Sequence, residues 1–187
     1  VTDTADHPIS LYAATKKSNE MMAHTYSHLY NIPATGLRFF TAYGPWGRPD
    51  MAIFKFTKAI LEGKTISVYN YGKMERDFTF IDDIIHGIIE VIKNKPACPV
   101  ENGKVNSSNS PVASYKIYNI GNSSPVKLMD FIHAIEKATG KDARIDFLPI
   151  QPGDMEKTFA DISGFSENYN YKPTINIESG IKKFVEW

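Results

Sequence analysis

Short apolar runs of strand length alternate along this chain with segments whose apolar residues recur every three to four positions. The period changes at glycine, proline or asparagine. Such alternation predicts an α/β architecture, with the least regular part towards the C-terminus. The first helical segment spans 11–30. Ser10 is placed to cap it, Leu11, Ala14, Ser18, Met22, Thr25 and Leu29 trace one stripe, and Asn31 and Pro33 stop it. A strand over 35–44 follows and opens into the loop GPWGRPDMA. Ile53, Phe56 and Ile60 give a helix from Ala52 to Glu62, closed by Gly63. TISVY and RDFTFI read as strands around a turn at Asn70–Gly72. Asp82 is expected to cap a helix reaching Asn94. Residues 95–114, rich in proline, asparagine and serine, read as a flexible surface loop. Beyond it come a strand at 115–121, a helix over Val126–Thr139, a strand at RIDFLP and a terminal helix from Ile175 to Trp187.

Charge excludes some partners. The 21 basic and 21 acidic residues among 187 cancel, which argues against nucleic acid or an anionic membrane as a global partner; an anion must be gripped locally. One cysteine, Cys98, leaves no internal disulfide, and the five histidines fall in no metal-ligand pattern, so no metal is expected. No apolar run approaches the ~20 residues of a membrane span, and the opening VTDTADHP is not a signal peptide, so a cytoplasmic location is expected. The chain starts with Val in a polar stretch, as if cut from something longer.

On the first helix, Tyr12 and Lys16 are four apart and share a face. Spacing alone does not single them out: Tyr69 and Lys73 repeat it in a turn. Of the four arginines, Arg48 lies in the loop beyond a strand end and Arg76 follows a tight turn. Both suit recognition of phosphate or carboxylate, and both are equally open to surface salt bridging. GNSSP before a helix could hold an anion, although turn and cap roles suffice for it.

Several of these stretches together resemble a known family. Tyr12-Ala-Ala-Thr-Lys16, the run LRFFTAYGPWGRPDMA at 37–52, Tyr71-Gly72 and RDFTFIDD at 76–83 are similar to the extended short-chain dehydrogenase/reductases, and most closely to the UDP-glucuronate 4-epimerases. The similarity continues through YNIGNSSPVKLMDFI and QPGDMEKTFADIS. It implies the C-terminal part of a Rossmann-type NAD-binding fold plus a smaller nucleotide-sugar-binding domain. Residues 1–51 and 75–125 would belong to the former, 52–74 and 126–187 to the latter. The implied reaction is NAD-dependent 4-epimerisation of UDP-glucuronate through a 4-keto intermediate. Tyr12 would be the acid/base; Lys16 would favour the phenolate by its charge and bind the nicotinamide ribose. Phe39 would lie near the nicotinamide, Thr41 and Arg48 would address the sugar carboxylate, Arg76 the diphosphate and Asp154 the uridine ribose. Helix 11–30 resembles one that such enzymes use to form homodimers.

The resemblance also sets what is missing. No G-x-G-x-x-G stands in the chain, Thr2 and Thr4 lie too near Tyr12 to complete a catalytic trio, and Gln151 stands where some relatives have arginine. The chain alone is therefore expected to be inactive, its partner half lying upstream. The same scaffold serves other UDP-sugar epimerases, decarboxylases and dehydratases, and a non-catalytic nucleotide-sugar-binding or oligomerisation module would share the motifs.

Overall fold

The computed structural model describes residues 6–96 and 110–187. Most of the loop expected at 95–114, and with it Cys98, lies outside the described residues, as do Thr2 and Thr4. In chain order the elements are α1 (Leu11–Tyr30), β1 (Ala34–Phe39), β2 (Thr41–Tyr43), α2 (Ala52–Leu61), β3 (Thr65–Val68), β4 (Glu75–Phe80), α3 (Ile81–Lys93), β5 (Tyr115–Ile120), β6 (Pro125–Lys127), α4 (Leu128–Thr139), β7 (Arg144–Phe147), α5 (Ser163–Tyr169) and α6 (Ile177–Glu186). The strand pairs β1–β5, β2–β4 and β3–β7 are parallel and β4–β6 is antiparallel, which fulfils the α/β expectation.

Two compact units interleave along the chain, one made of residues 1–39, 86–120 and 161–171, the other of 40–85, 121–160 and 172–187. In the first, β1 runs beside β5 from the pair Ala34–Tyr115 to the pair Phe39–Ile120. Tyr118, Phe165, Tyr169 and Tyr171 pack edge-on or tilted at 4.9–5.4 Å between ring centroids. Gly87 permits this packing, because a Cβ there would meet Ile120, Phe165 and Tyr171. In the second unit, Val68, Phe80, Phe131, Ile132, Ile135 and Ile181 are buried in one apolar cluster, and the Phe78 and Phe131 rings stack at 4.4 Å.

The sequence expectations differ from the fold at defined places. The run 35–44 is two strands, because the chain changes partner at Phe40, leaving β5 for β4. Asp82 does not cap α3; it lies inside the first turn and faces Lys183 across 3.4 Å. Its neighbour Asp83 is buried and accepts hydrogen bonds from the Thr174 N–H (3.0 Å), the Thr174 hydroxyl (3.1 Å) and the Ile175 N–H (3.0 Å). Helix α4 starts at Leu128, not Val126, since residues 125–127 pair with β4. GNSSP is thus a turn between two strands and offers no helix N-terminus to an anion. The short α5 escaped the sequence reading because FSENY mixes aromatic and polar residues without helical period. Helix α6 is capped by the Asn176 side chain, which accepts from the Ser179 N–H.

Gly180 inside α6 is a close-approach glycine: a Cβ there would collide with the Tyr43 hydroxyl and stand 2.8 Å from Tyr43 Cζ and 2.9 Å from Phe80 Cδ2. Helix propensity alone would make Gly180→Ala stabilising by about 1 kcal/mol. The overpacking costs about 1–3 kcal/mol. A net loss is therefore expected, read as a lower urea midpoint, and Tyr43→Phe in the same chain should recover part of it. A raised midpoint for Gly180→Ala would show that the Tyr43 ring yields freely.

Candidate functional site

Helix α1 presents the first pair of expected site residues. The Ser10 hydroxyl accepts from the Ala13 N–H at 3.1 Å, which fixes the helix start at Leu11, one residue before Tyr12. The Lys16 ammonium stands 5.4 Å from the Tyr12 ring centroid, so the i,i+4 spacing does bring them together. Tyr12 is 72% exposed, with its phenol open to a ligand. The contrasting pair at Tyr69 and Lys73 sits in a 3-10 turn with positive φ at Asn70 and Tyr71.

The same helix is gripped from the strands of its own unit. Arg38 on β1 donates to both carboxylate oxygens of Glu20, from Nε at 2.6 Å and from Nη2 at 2.9 Å. The Tyr115 hydroxyl on β5 donates to the Glu20 carbonyl at 2.9 Å. Burial, then the Glu20 charge, push the Tyr115 phenol up to about 12, so it keeps the proton it donates. Lower on the helix, the Ser27 hydroxyl donates to the Ser114 carbonyl and His28 bonds the Val112 carbonyl. Phe39 ends β1 and is 54% exposed.

Thr41, Arg48, Arg76 and Asp154 belong to the second unit. Thr41 opens β2 opposite Phe78 on β4. Beyond Tyr43 the loop turns sharply at Gly44 (φ 142) and Trp46 (φ 62), then presents Arg48. Its guanidinium is held fork-to-fork by the Asp50 carboxylate, with Nε at 2.9 Å from Oδ1, and both side chains are largely exposed. The hydrogen bond from Arg48 is the main cause holding the Asp50 carboxyl below its ordinary range. Arg76 Nη2 donates to Asp154 Oδ1 at 3.0 Å across 78 residues of sequence, so these two expected nucleotide ligands stand side by side. Backbone bonds bring the segment around Asp154 there: Glu75 N–H donates to the Glu156 carbonyl (2.8 Å) and Thr158 N–H to the Glu75 carbonyl (3.1 Å). Gln151 accepts from the Asp154 N–H in the turn that precedes it.

Sequence reading passed over three acidic residues that shape these groups. Glu20 lies three residues after Lys17, which it meets at 3.8 Å, but its bidentate partner Arg38 stands 18 residues on, where no local pattern marks the pair. Asp50 lies in the loop GPWGRPDMA, two residues after Arg48. Asp77, next to Arg76, is fully buried and accepts from the Asn122 N–H (2.8 Å) and the Ala160 N–H (3.0 Å); both partners are distant in sequence, so no local signal marked it. Among the described residues no group of three or more histidine, cysteine or acidic side chains could hold a metal ion, and no helix is long and apolar enough to cross a membrane.

The geometry therefore offers an exposed phenol with an ammonium beside it in one unit, and two arginines each paired with a carboxylate in the other. Known proteins are similar to this chain in sequence and in fold. Protein CapI of Staphylococcus aureus is 56% identical over 188 residues, covering 100% of this chain and 56% of that protein. A probable UDP-glucuronate 4-epimerase of Rhizobium meliloti is 46% identical over 187 residues, covering 99% of this chain and 55% of that one. The solved UDP-glucuronic acid 4-epimerase from Bacillus cereus, in complex with UDP-glucuronic acid and NAD, matches with a TM-score of 0.80 at 35% identity, over 96% of this chain and 52% of that one. The chain spans about half the length of these relatives. Residues 2–184 match the sequence model described as GDP-mannose 4,6 dehydratase, and the chain belongs to that family.

Proposed function

We propose that this chain carries the catalytic Tyr–Lys pair and the sugar-nucleotide contacts of an NAD-dependent UDP-glucuronate 4-epimerase, working as part of a longer, cytoplasmic protein. The observation that carries the reading is the Lys16 ammonium set 5.4 Å from the ring of an exposed Tyr12. The likeness to relatives named as UDP-glucuronate 4-epimerases supports the choice of reaction.

The chain's own groups suit the cofactor. An exposed phenol and an ammonium on one helix face match the needs of a sugar hydroxyl to be deprotonated and a ribose hydroxyl to be held. NAD, when bound, supplies the hydride acceptor and returns the hydride. Tyr12 takes the proton of the C4 hydroxyl while that carbon is oxidised to the ketone. Lys16, beside the Tyr12 ring, is assigned to the nicotinamide ribose. When the ketone is reduced on its other face, Tyr12 gives the proton back and the C4 configuration is inverted. Phe39, at the exposed end of β1, is assigned to the nicotinamide side. Arg76 is assigned to the diphosphate and Asp154 to the uridine ribose; their mutual ion pair at 3.0 Å supports assigning them to one nucleotide. Thr41 and Arg48 are assigned to the sugar carboxylate, one by its hydroxyl and the other by its planar fork. Leu11, Met22, Tyr26 and Leu29, exposed on α1, fit a homodimer contact.

In the complete enzyme Tyr12→Phe keeps the ring and removes the proton acceptor, so turnover should fall by roughly 10²–10⁴ with UDP-glucuronate affinity little changed. Near-normal turnover would end the acid/base assignment. Arg48→Leu should narrow the preference for UDP-glucuronate over UDP-glucose by roughly ten- to a hundredfold, since hydrogen bonds to a charged group are worth about 1.5–3 kcal/mol. It should also raise the share of decarboxylated product, because the oxidised intermediate is a β-keto acid and loses CO₂ more readily once its carboxylate is unclamped. Direct competition of the two substrates, with products separated by mass, reads both effects; an unchanged ratio would assign the carboxylate to other residues.

A further inference from the structure

We infer that the Glu20–Arg38 pair is a positioning device for Tyr12 and Lys16. This rests on the acid/base reading of Tyr12 and adds to it the group that sets where that base stands. Glu20 is held from two adjacent strands at once, by Arg38 on β1 through its carboxylate and by Tyr115 on β5 through its carbonyl. Both charged side chains are largely covered, Arg38 25% and Glu20 18% exposed, and Lys17, 3.8 Å from Glu20 and 3.2 Å from Asp6, adds a further charge to the cluster. Ahead of Glu20 the helix carries Tyr12 and Lys16, eight and four residues before it.

The leverage is geometric. Tyr12 precedes Glu20 by eight residues, about 12 Å along the axis at ~1.5 Å per residue, so a tilt of about 5° at Glu20 moves the phenol by about 1 Å. A misplacement of that size costs roughly a hundredfold in a reaction that needs a near-attack geometry. Arg38 lies one residue before Phe39, so the pair joins the helix of the base to the strand end assigned to the nicotinamide. A bidentate bond fixes orientation as well as distance, which a single hydrogen bond does not.

Three variants of the complete enzyme test this, with UDP-glucuronate as substrate: Glu20→Gln, Arg38→Gln and the two together. Each single change should lower kcat by roughly ten- to a hundredfold while KM stays within about twofold, and the double change should be no worse than the poorer single one. The midpoint of the pH–rate profile should stay where the wild type has it, because neither the phenol nor the ammonium is altered. Arg38→Lys, which keeps the charge and one bond, should regain part of the turnover. It also serves where melting shows that another variant is unfolded at the assay temperature. Unchanged kcat, a kcat loss matched by a rise in KM, or a displaced pH midpoint would each overturn the inference. Tyr12→Phe measured alongside separates the two readings: if it lowers turnover by its expected ~10²–10⁴ while Glu20→Gln leaves kcat unchanged, only the positioning role falls, and if Tyr12→Phe keeps near-normal turnover, the acid/base reading falls first.

Discussion

A carboxylate with no exposed surface, Asp77, organises the second unit. An ionised group taken out of water must recover its hydration from fixed donors, and Asp77 does so from the backbone N–H groups of Asn122 and Ala160 while its own N–H donates to the Thr158 hydroxyl. Three stretches of chain are thereby drawn to one point. The approach is close enough that Gly121 has no room for a side chain, since a Cβ there would run into the Ala160 Cβ. Side chains alternate across a strand, so fixing Asp77 inward turns its neighbour Arg76 to the other face, where Asp154 meets it. The Arg76–Asp154 pair is in that sense a consequence of a buried acid one residue away.

Asp83 repeats the device on α3, receiving three hydrogen bonds from Thr174 and Ile175 at the approach to α6. With that approach fixed, α6 lies so near β2 that only glycine fits at 180. The Tyr43 hydroxyl opposite is buried, and burial together with the Asp83 charge raises its pKa well above the ordinary phenol value. Two neighbouring acids in the sequence therefore do different work. Asp82 remains at the surface near Lys183, and Asp83 stitches distant backbone together.

What was legible in the sequence was local. The i,i+4 relation of Tyr12 and Lys16, the Ser10 cap, the stop after Tyr30 and the turn at Asn70–Gly72 depend on residues within a few positions of one another, and periodicity and turn chemistry report them directly. The split of 35–44 into two strands was hidden because its apolar run is continuous while its partners, β5 and β4, lie elsewhere in the chain. The β6 strand was hidden for the same reason: Val126 reads as helix until its pairing with Arg76 is known. Of the site residues, Arg76 and Asp154 were named through resemblance, yet their contact across 78 positions is a product of tertiary backbone bonds that no local pattern encodes.

The three arginines of the first eighty residues illustrate how burial sorts one chemistry into different roles. All are paired with a carboxylate, so pairing alone does not distinguish a structural arginine from a binding one. An exposed ion pair is worth about 0–1 kcal/mol because water and salt compete for both partners, so exchanging its carboxylate for another costs little. A covered pair behaves otherwise: removing one partner strands a desolvated charge at about 3–5 kcal/mol. Arg48 and Asp50, 74% and 58% exposed, lie at the exchangeable end, which suits a guanidinium proposed to receive a sugar carboxylate and release it each turnover. Arg38 and Glu20, 25% and 18% exposed, lie nearer the covered end, where a bidentate pair persists better. Arg76, 19% exposed against an Asp154 that is 37% exposed, is intermediate: its own position is held, but the carboxylate beside it stays open to a hydroxyl. That combination suits the diphosphate and ribose contacts proposed for the two residues, since an arginine placed before a ligand arrives costs less to order on binding.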